Sequence, residues 1–136
     1  MPSLFMLDTD TCIFLMRRAS QKLEAKVQSV PLQNQVMSAV TFAELSYGVQ
    51  ASVAAKRKQN QATLDSLALH LAVLDWPQDA AKFYAEIRFD LKKRGAQLGA
   101  ADLMIAAHAR SLGAVVVTNN VKDFSRVKGL EVENWT

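Results

Sequence analysis

The 136-residue chain has a single cysteine, Cys12, so no internal disulfide can form and a reducing compartment is expected. A lone cysteine of this kind reads as a small buried hydrophobe. The only two histidines, His70 and His108, read as satisfied packing or surface residues. Long apolar runs are missing. The opening MPSLFMLDTD has no basic lead and its apolar stretch stops at Asp8. Neither a signal peptide nor a membrane span is therefore expected, and the protein is placed in the cytoplasm. Repeats and low-complexity stretches are absent too, and with 50% hydrophobic and 21% charged residues the composition carries no signature of disorder. Such a chain predicts one domain over residues 1–136. Its apolar content is slightly high for the size, which predicts surface that faces a partner.

Net charge is +3, which permits polyanion binding without demanding it. Bases gather at Arg17, Arg18, Lys22 and Lys26, at Lys56, Arg57 and Lys58, at Arg88, Lys92, Lys93 and Arg94, and at Lys122, Arg126 and Lys128. From Pro31 to Ala55 the only charge is Glu44. Taken singly, each basic cluster reads first as a solvated helix end that complements its dipole.

Short apolar runs alternate with helical patterns. Leu4 to Leu7, QVMSAV, HLAVLDW, AVVVT and LEVENW predict strands, the last at a sheet edge. TDTCIFLMRR, SQKLEAKVQSV, TFAELSYGVQAS, residues 55–69, PQDAAKFYAEIRFDLKKRG and the apolar stretch around AADLMIAAHA predict helices, with a short one in NNVKDFSRV. In TFAEL, Thr41 and Glu44 have the S/T-x-x-E spacing of a capping box. Alternation of this sort implies an α/β fold with a mostly parallel central sheet covered on both faces. Ligands in such folds bind beyond the carboxyl ends of the strands.

Five acids fall just after strands or at helix starts: Asp8, Asp10, Glu44, Asp102 and Asp123. Singly, each reads as a cap or a helix-terminus charge. Together they conflict. Several would open onto one sheet edge and repel one another, and Asp102 stands in a helix apolar on nearly every side. A hard divalent cation removes the conflict, because Mg²⁺ or Mn²⁺ takes oxygen ligands and needs neither His nor Cys. Asp8 and Asp102 would be the principal ligands, with Glu44 and Asp123 orienting waters and one of them available as general base. Ser38 and Thr118, at strand ends, would hydrogen-bond ligands or phosphate, or else serve caps and turns.

The stretches FMLDTDTCIFLM, MSAVTFAELSYG and LGAADLMIAAHARSLGAVVVTNNVKDFSRVKGLEVENW together resemble PIN-domain ribonucleases of the VapC toxin type, in the family's order and over nearly the whole chain. The resemblance implies a three-layer α/β/α sandwich, an acid cluster binding Mg²⁺ or Mn²⁺, hydrolysis of RNA phosphodiesters, and a cognate antitoxin that plugs the site. It makes tRNA, the initiator tRNA included, the expected RNA. Asp8, Glu44 and Asp102 match the family's first three acids. For the fourth, Asp123 is chosen over the position held by Asn120, and Asp10 stands where relatives usually carry Asn.

Three further expectations complete the reading. Arg88, Lys92, Lys93 and Arg94 would hold RNA beside the loop leading to Asp102. Ile13, Phe14, Met16, Phe42, Leu45 and Tyr47, on two helices beside the site, would form an apolar groove for an amphipathic antitoxin segment bearing an arginine. The chain would form a homodimer. Two rival readings are a non-catalytic RNA- or partner-binding domain of this fold, and a receiver domain with Asp8 and Asp10 as metal pair and Asp75 as phosphoacceptor. The second fails on layout, since Trp76 and Pro77 directly follow Asp75 and Glu44 and Asp102 would go unused.

Overall fold

The computed structural model describes residues 3–136. Its elements alternate as β1 (Phe5–Leu7), α1 (Thr9–Met16), α2 (Gln21–Ser29), a 3₁₀ turn (Leu32–Asn34), β2 (Gln35–Ser38), α3 (Ala39–Gln50), α4 (Ala54–His70), β3 (Ala72–Leu74), α5 (Ala80–Lys93), α6 (Ala100–Leu112), β4 (Val115–Val117), α7 (Val121–Phe124) and β5 (Glu131–Glu133). All the strand pairings are parallel, in the order β3-β2-β1-β4-β5. Every connection is therefore a crossover. Helices must cover both faces, which makes the three-layer α/β/α sandwich.

Alternation along the strands sorts the core. Met6, Val36 and Val116 point to one face and pack with Ile87 and Leu91 of α5, Leu103, Ile105 and Ala106 of α6, and Phe124. Leu7, Met37 and Val117 point to the other and meet Cys12, Leu23, Leu45, Val49, Leu64 and Leu67 of α1 to α4. Cys12 is fully buried and unpaired, the small-hydrophobe role its sequence context predicts.

Two sequence expectations are corrected. The strand in QVMSAV ends at Ser38, because the Ser38 hydroxyl accepts the Val40 N–H at 3.1 Å and starts α3 there. Thr41 is consequently inside the helix and buried, and no capping box with Glu44 forms. The strand in HLAVLDW contracts to Ala72–Leu74, because α4 keeps its helical bonds through His70 and Leu71 closes it with a bond to the Leu67 carbonyl.

Strand order runs outward from β1 to β2 and β3, then returns to the opposite side of β1 for β4 and β5. The crevice at this reversal lies beyond the carboxyl ends of β1 and β4. Asp8 directly follows β1, and Thr118 and Asn120 follow β4.

Candidate active site

Asp8 closes β1 and caps α1: its Oδ1 accepts the Thr11 N–H at 2.9 Å. The cap and site readings thus hold for the same residue. Burial to 2% exposure pushes its carboxyl above the ordinary 3.8, opposed by hydrogen bonds from the Thr118 hydroxyl and from Thr11 and reinforced by Asp10. Thr118 is itself fully buried and accepts the Asn120 N–H at 2.9 Å, so it supports Asp8 from within.

Asp102 is the third residue of α6 and is half-buried at the rim of the core. Burial raises its carboxyl most, followed by the charges of Asp8, Glu44, Asp10 and Asp123, which together bring it to about 6. Acids from the end of β1 and from α1, α3, α6 and α7 therefore share one neighbourhood. Asp10 is exposed on α1 and adds to the repulsion.

Glu44 is exposed but not loose. Thr9 Oγ1 donates to Glu44 Oε1 at 2.5 Å and lies 3.4 Å from Thr41 Oγ1. Asp123 is held at both oxygens: Asn120 Nδ2 donates to its Oδ2 at 2.8 Å, and Arg126 Nη1 stands 3.4 Å from its Oδ1. The two candidates for the fourth acid position are therefore partners, with Asn120 orienting Asp123. Thr9 and Arg126 had no assigned role in the sequence. Thr9 is signalled only by its place next to Asp8, and Arg126 only by a basic cluster.

Comparison with known proteins decides the family. The PIN domain profile matches residues 5–130. The chain is 38% identical over 131 residues to the tRNA(fMet)-specific endonuclease VapC of Salmonella typhimurium, covering 96% of this chain and 97% of that one. It is 35% identical over 133 residues to ribonuclease VapC2 of Rickettsia felis, with 97% and 98% covered. A crystal structure of DNA-bound VapBC from Salmonella typhimurium superposes with a TM-score of 0.92 at 36% identity, covering 99% of this chain and 100% of that one.

The chain is a PIN domain of the VapC family.

Within this VapC-type fold, Ser38 does not take the ligand role allowed for it. It is fully buried, caps α3, and its Oγ lies 2.8 Å from His108 Nδ1. His108 is likewise buried and satisfied, and burial holds its pKa below the ordinary value. His70 is exposed with Nδ1 against the Ser66 carbonyl. The receiver-domain reading also finds no support, since Asp75 is an exposed residue after edge strand β3 and is absent from the charges acting on Asp102.

On α5, Arg88, Lys92 and Lys93 are exposed, with Arg88 donating to Tyr84 Oη at 3.0 Å and Lys93 over the Phe89 ring. Arg94 is withdrawn from the RNA-binding set. Its guanidinium makes two bonds to Asp90 at 2.8 and 2.9 Å and donates to the Arg126 carbonyl, which commits it to the fold.

A hollow lies beside the site, with walls that differ from those expected of the groove. It has a volume of about 330 Å³ and is lined by Ile13, Met16, Glu44, Leu45 and Gly48, and by Gln59, Asn60 and Thr63 of α4. Leu45 forms its floor at 5% exposure. Phe14 and Phe42 pack instead into the cluster beneath α1 to α4, and Tyr47 points to solvent at 74% exposure. The α4 wall was missed because residues 55–69 read as a polar helix, and the residues it gives to the hollow, Gln59, Asn60 and Thr63, are polar.

The donor set is of the oxygen type that hard divalent cations take. All the donors are oxygen, and among the described residues no group of three or more acidic, histidine or cysteine side chains stands close enough together to hold a metal ion by itself. An ion that binds one or two carboxylates and keeps its waters, as Mg²⁺ and Mn²⁺ do, fits this open arrangement. No helix among the described residues is long and apolar enough to cross a membrane.

Proposed function

We propose that this chain is a divalent-metal-dependent endoribonuclease toxin that hydrolyses phosphodiester bonds in tRNA and is held inactive by a cognate antitoxin. The observation that carries the proposal is that Asp8, Glu44, Asp10 and Asp123 all lie near enough to Asp102, at the reversal of strand order, for their charges to raise its carboxyl, supported by the ribonuclease names of relatives matched over nearly their whole length. An acid cluster without a cation would repel the polyanion it has to cut. Mg²⁺ or Mn²⁺ held there would neutralise charge on the leaving oxygen and make water a better nucleophile for in-line attack. Asp8 and Asp102 would hold the ion, Asp8 fixed by its cap bond and Asp102 by the packed helix behind it. Glu44, steadied by Thr9, stands ready to take a proton from the attacking water. Asp123, with one contact on each oxygen, orients water through its remaining lone pairs.

The antitoxin seat follows from the grooves. A second hollow of about 890 Å³ between α1, α2 and α4 is lined by Met16, Val27, Leu32, Thr63 and Leu67. Met16 and Thr63 line both hollows, so one groove of mixed polarity runs along α1 and α4, with Arg17 and Glu44 among the residues lining its smaller part. An amphipathic segment laid in that groove would deliver an arginine to the acids. Solved VapBC complexes of Salmonella typhimurium and Rickettsia felis match nearly the full chain, at 36% and 34% identity. Exposed Tyr47 and Val53 leave apolar surface at the α3–α4 corner for a second copy.

Cleavage of tRNA by the purified protein in Mg²⁺, in Mn²⁺ and in chelator tests the reaction. Chelator, Asp8→Asn and Asp102→Asn are each expected to abolish cleavage. Undiminished cleavage by folded Asp102→Asn would overturn the assignment.

A further inference from the structure

Arg126 lies two residues beyond α7 and three beyond Asp123. Its guanidinium reaches two elements at once. Nη1 donates to the Gln97 carbonyl at 2.8 Å and stands 3.4 Å from Asp123 Oδ1. Gln97 belongs to the loop that feeds α6, so this side chain ties the element bearing Asp102 to the one bearing Asp123. The backbone behind it is fixed as well, because Arg94, itself held by Asp90, donates to the Arg126 carbonyl. Among the described residues no other cation forms an ion pair with Asp8, Asp10, Glu44, Asp102 or Asp123.

A guanidinium carries five N–H donors in a rigid plane. Here Nη1 is occupied, whereas Nε and Nη2 donate to no protein group among the described residues, and the side chain is 36% exposed. A latch that only joined two loops has no use for that open edge. Two adjacent N–H donors on a fixed plane match the paired non-bridging oxygens of a phosphodiester, and the anchored Nη1 means little freedom is lost when they bind. Placement at the rim of an anionic cluster also answers a physical need. A phosphate approaching several carboxylates is repelled, the more so the less polar the setting.

We propose that Arg126 receives a backbone phosphate of the RNA at the active site, on Nε and Nη2, while Nη1 stays on Gln97. This rests on the ribonuclease reading. The test uses the full-length protein, fluorescein-labelled unfractionated tRNA and chelator, with anisotropy measured across a salt series. Arg126→Ala and Arg126→Gln are expected to weaken binding roughly tenfold and to lower the slope of log K against log salt by about one. Arg126→Lys keeps the slope and restores part of the affinity, since the charge remains and the paired donors are lost. Arg94→Ala loosens the backbone anchor and leaves the slope as in wild type. Wild-type affinity and slope in a folded Arg126→Gln protein would overturn the proposal. If that result came with an inactive Asp102→Asn, only the phosphate contact would fall. Full cleavage by Asp102→Asn would remove the ribonuclease reading itself.

Discussion

Removing the charge of Asp102 should make the metal-free protein more stable. Its carboxyl is raised from 3.8 to about 6 by burial and by four neighbouring acids. A tenfold change in proton affinity is about 1.4 kcal/mol, so the cost of ionising it in the fold has a ceiling of about 3 kcal/mol. The group is half-buried, and solvent screening reduces this to about 1–1.5 kcal/mol. Against it stands the helix dipole, which favours a carboxylate in the first turn of α6 by about 0.3–1 kcal/mol. The balance gives Asp102→Asn a gain of roughly 0–1 kcal/mol at pH 7.5 in chelator. The sign with pH follows from the raised native value. Below 3.8 the group is protonated in both states and carries no penalty. Between 3.8 and about 6 the unfolded chain releases the proton first, so wild-type stability falls as pH rises, and above 6 the penalty is complete. Urea unfolding of both proteins at pH 4 and pH 7.5 measures the gap, which should open only at the higher pH. A further arm adds Mg²⁺, which should stabilise wild type with increasing concentration and leave Asp102→Asn unmoved. Loss of stability by Asp102→Asn, equal at both pH values, would mean that Asp102 serves chiefly as a helix-terminus residue.

The remaining predictions use other parts of the fold. Asp8→Asn should keep the α1 cap and unfold near wild type, whereas Asp8→Ala should lose about 1 kcal/mol, read by denaturant midpoint. Gly48 is helical with nothing within 4 Å of an added Cβ, so Gly48→Ala should gain roughly 0.5–1 kcal/mol. Gly48→Trp should fill the α1–α3–α4 groove and weaken antitoxin binding in calorimetry while tRNA cleavage persists; tight inhibition of that variant would take this groove out of the antitoxin site. Neutralising Arg88 and Lys92 together should lower the salt slope of tRNA binding, and an unchanged slope would leave them as a solvated face.

Much of the fold was legible because its signals are local. The apolar runs before Asp8 and after Gly113, and the all-round apolar α6, are dictated by a sheet covered on both faces, and each shows within a few residues. Thr41 and Glu44 misled for a local reason as well: the capping spacing is real, but Ser38 three residues earlier starts the helix first. Arg94 offered a usable signal, since Asp90 stands one helical turn before it and the pair is an ordinary i, i+4 ion pair. Contacts such as Arg126 to Gln97, 29 residues apart, and Thr9 to Glu44, 35 apart, are set by where loops meet in space and leave no pattern in the sequence. The acids were readable as a set because like charges at strand ends demand a common explanation.

The pairing of β1 with β4 bears on how such an enzyme is made. Phe5 lies beside Val115 and Leu7 beside Val117, so the sheet centre joins segments separated by most of the polypeptide. Loop-closure entropy of this size must be met before the contacts repay it, and no shorter pairing substitutes for it. During synthesis, at about 5–20 residues per second, Asp8 and Glu44 emerge long before the strand that holds Thr118 against Asp8 exists. A nascent chain stopped within α6 has Asp8, Glu44 and Asp102 but no β4 to close the crevice. Its acid cluster is therefore completed late, only once β4, distant in sequence from β1, has been made.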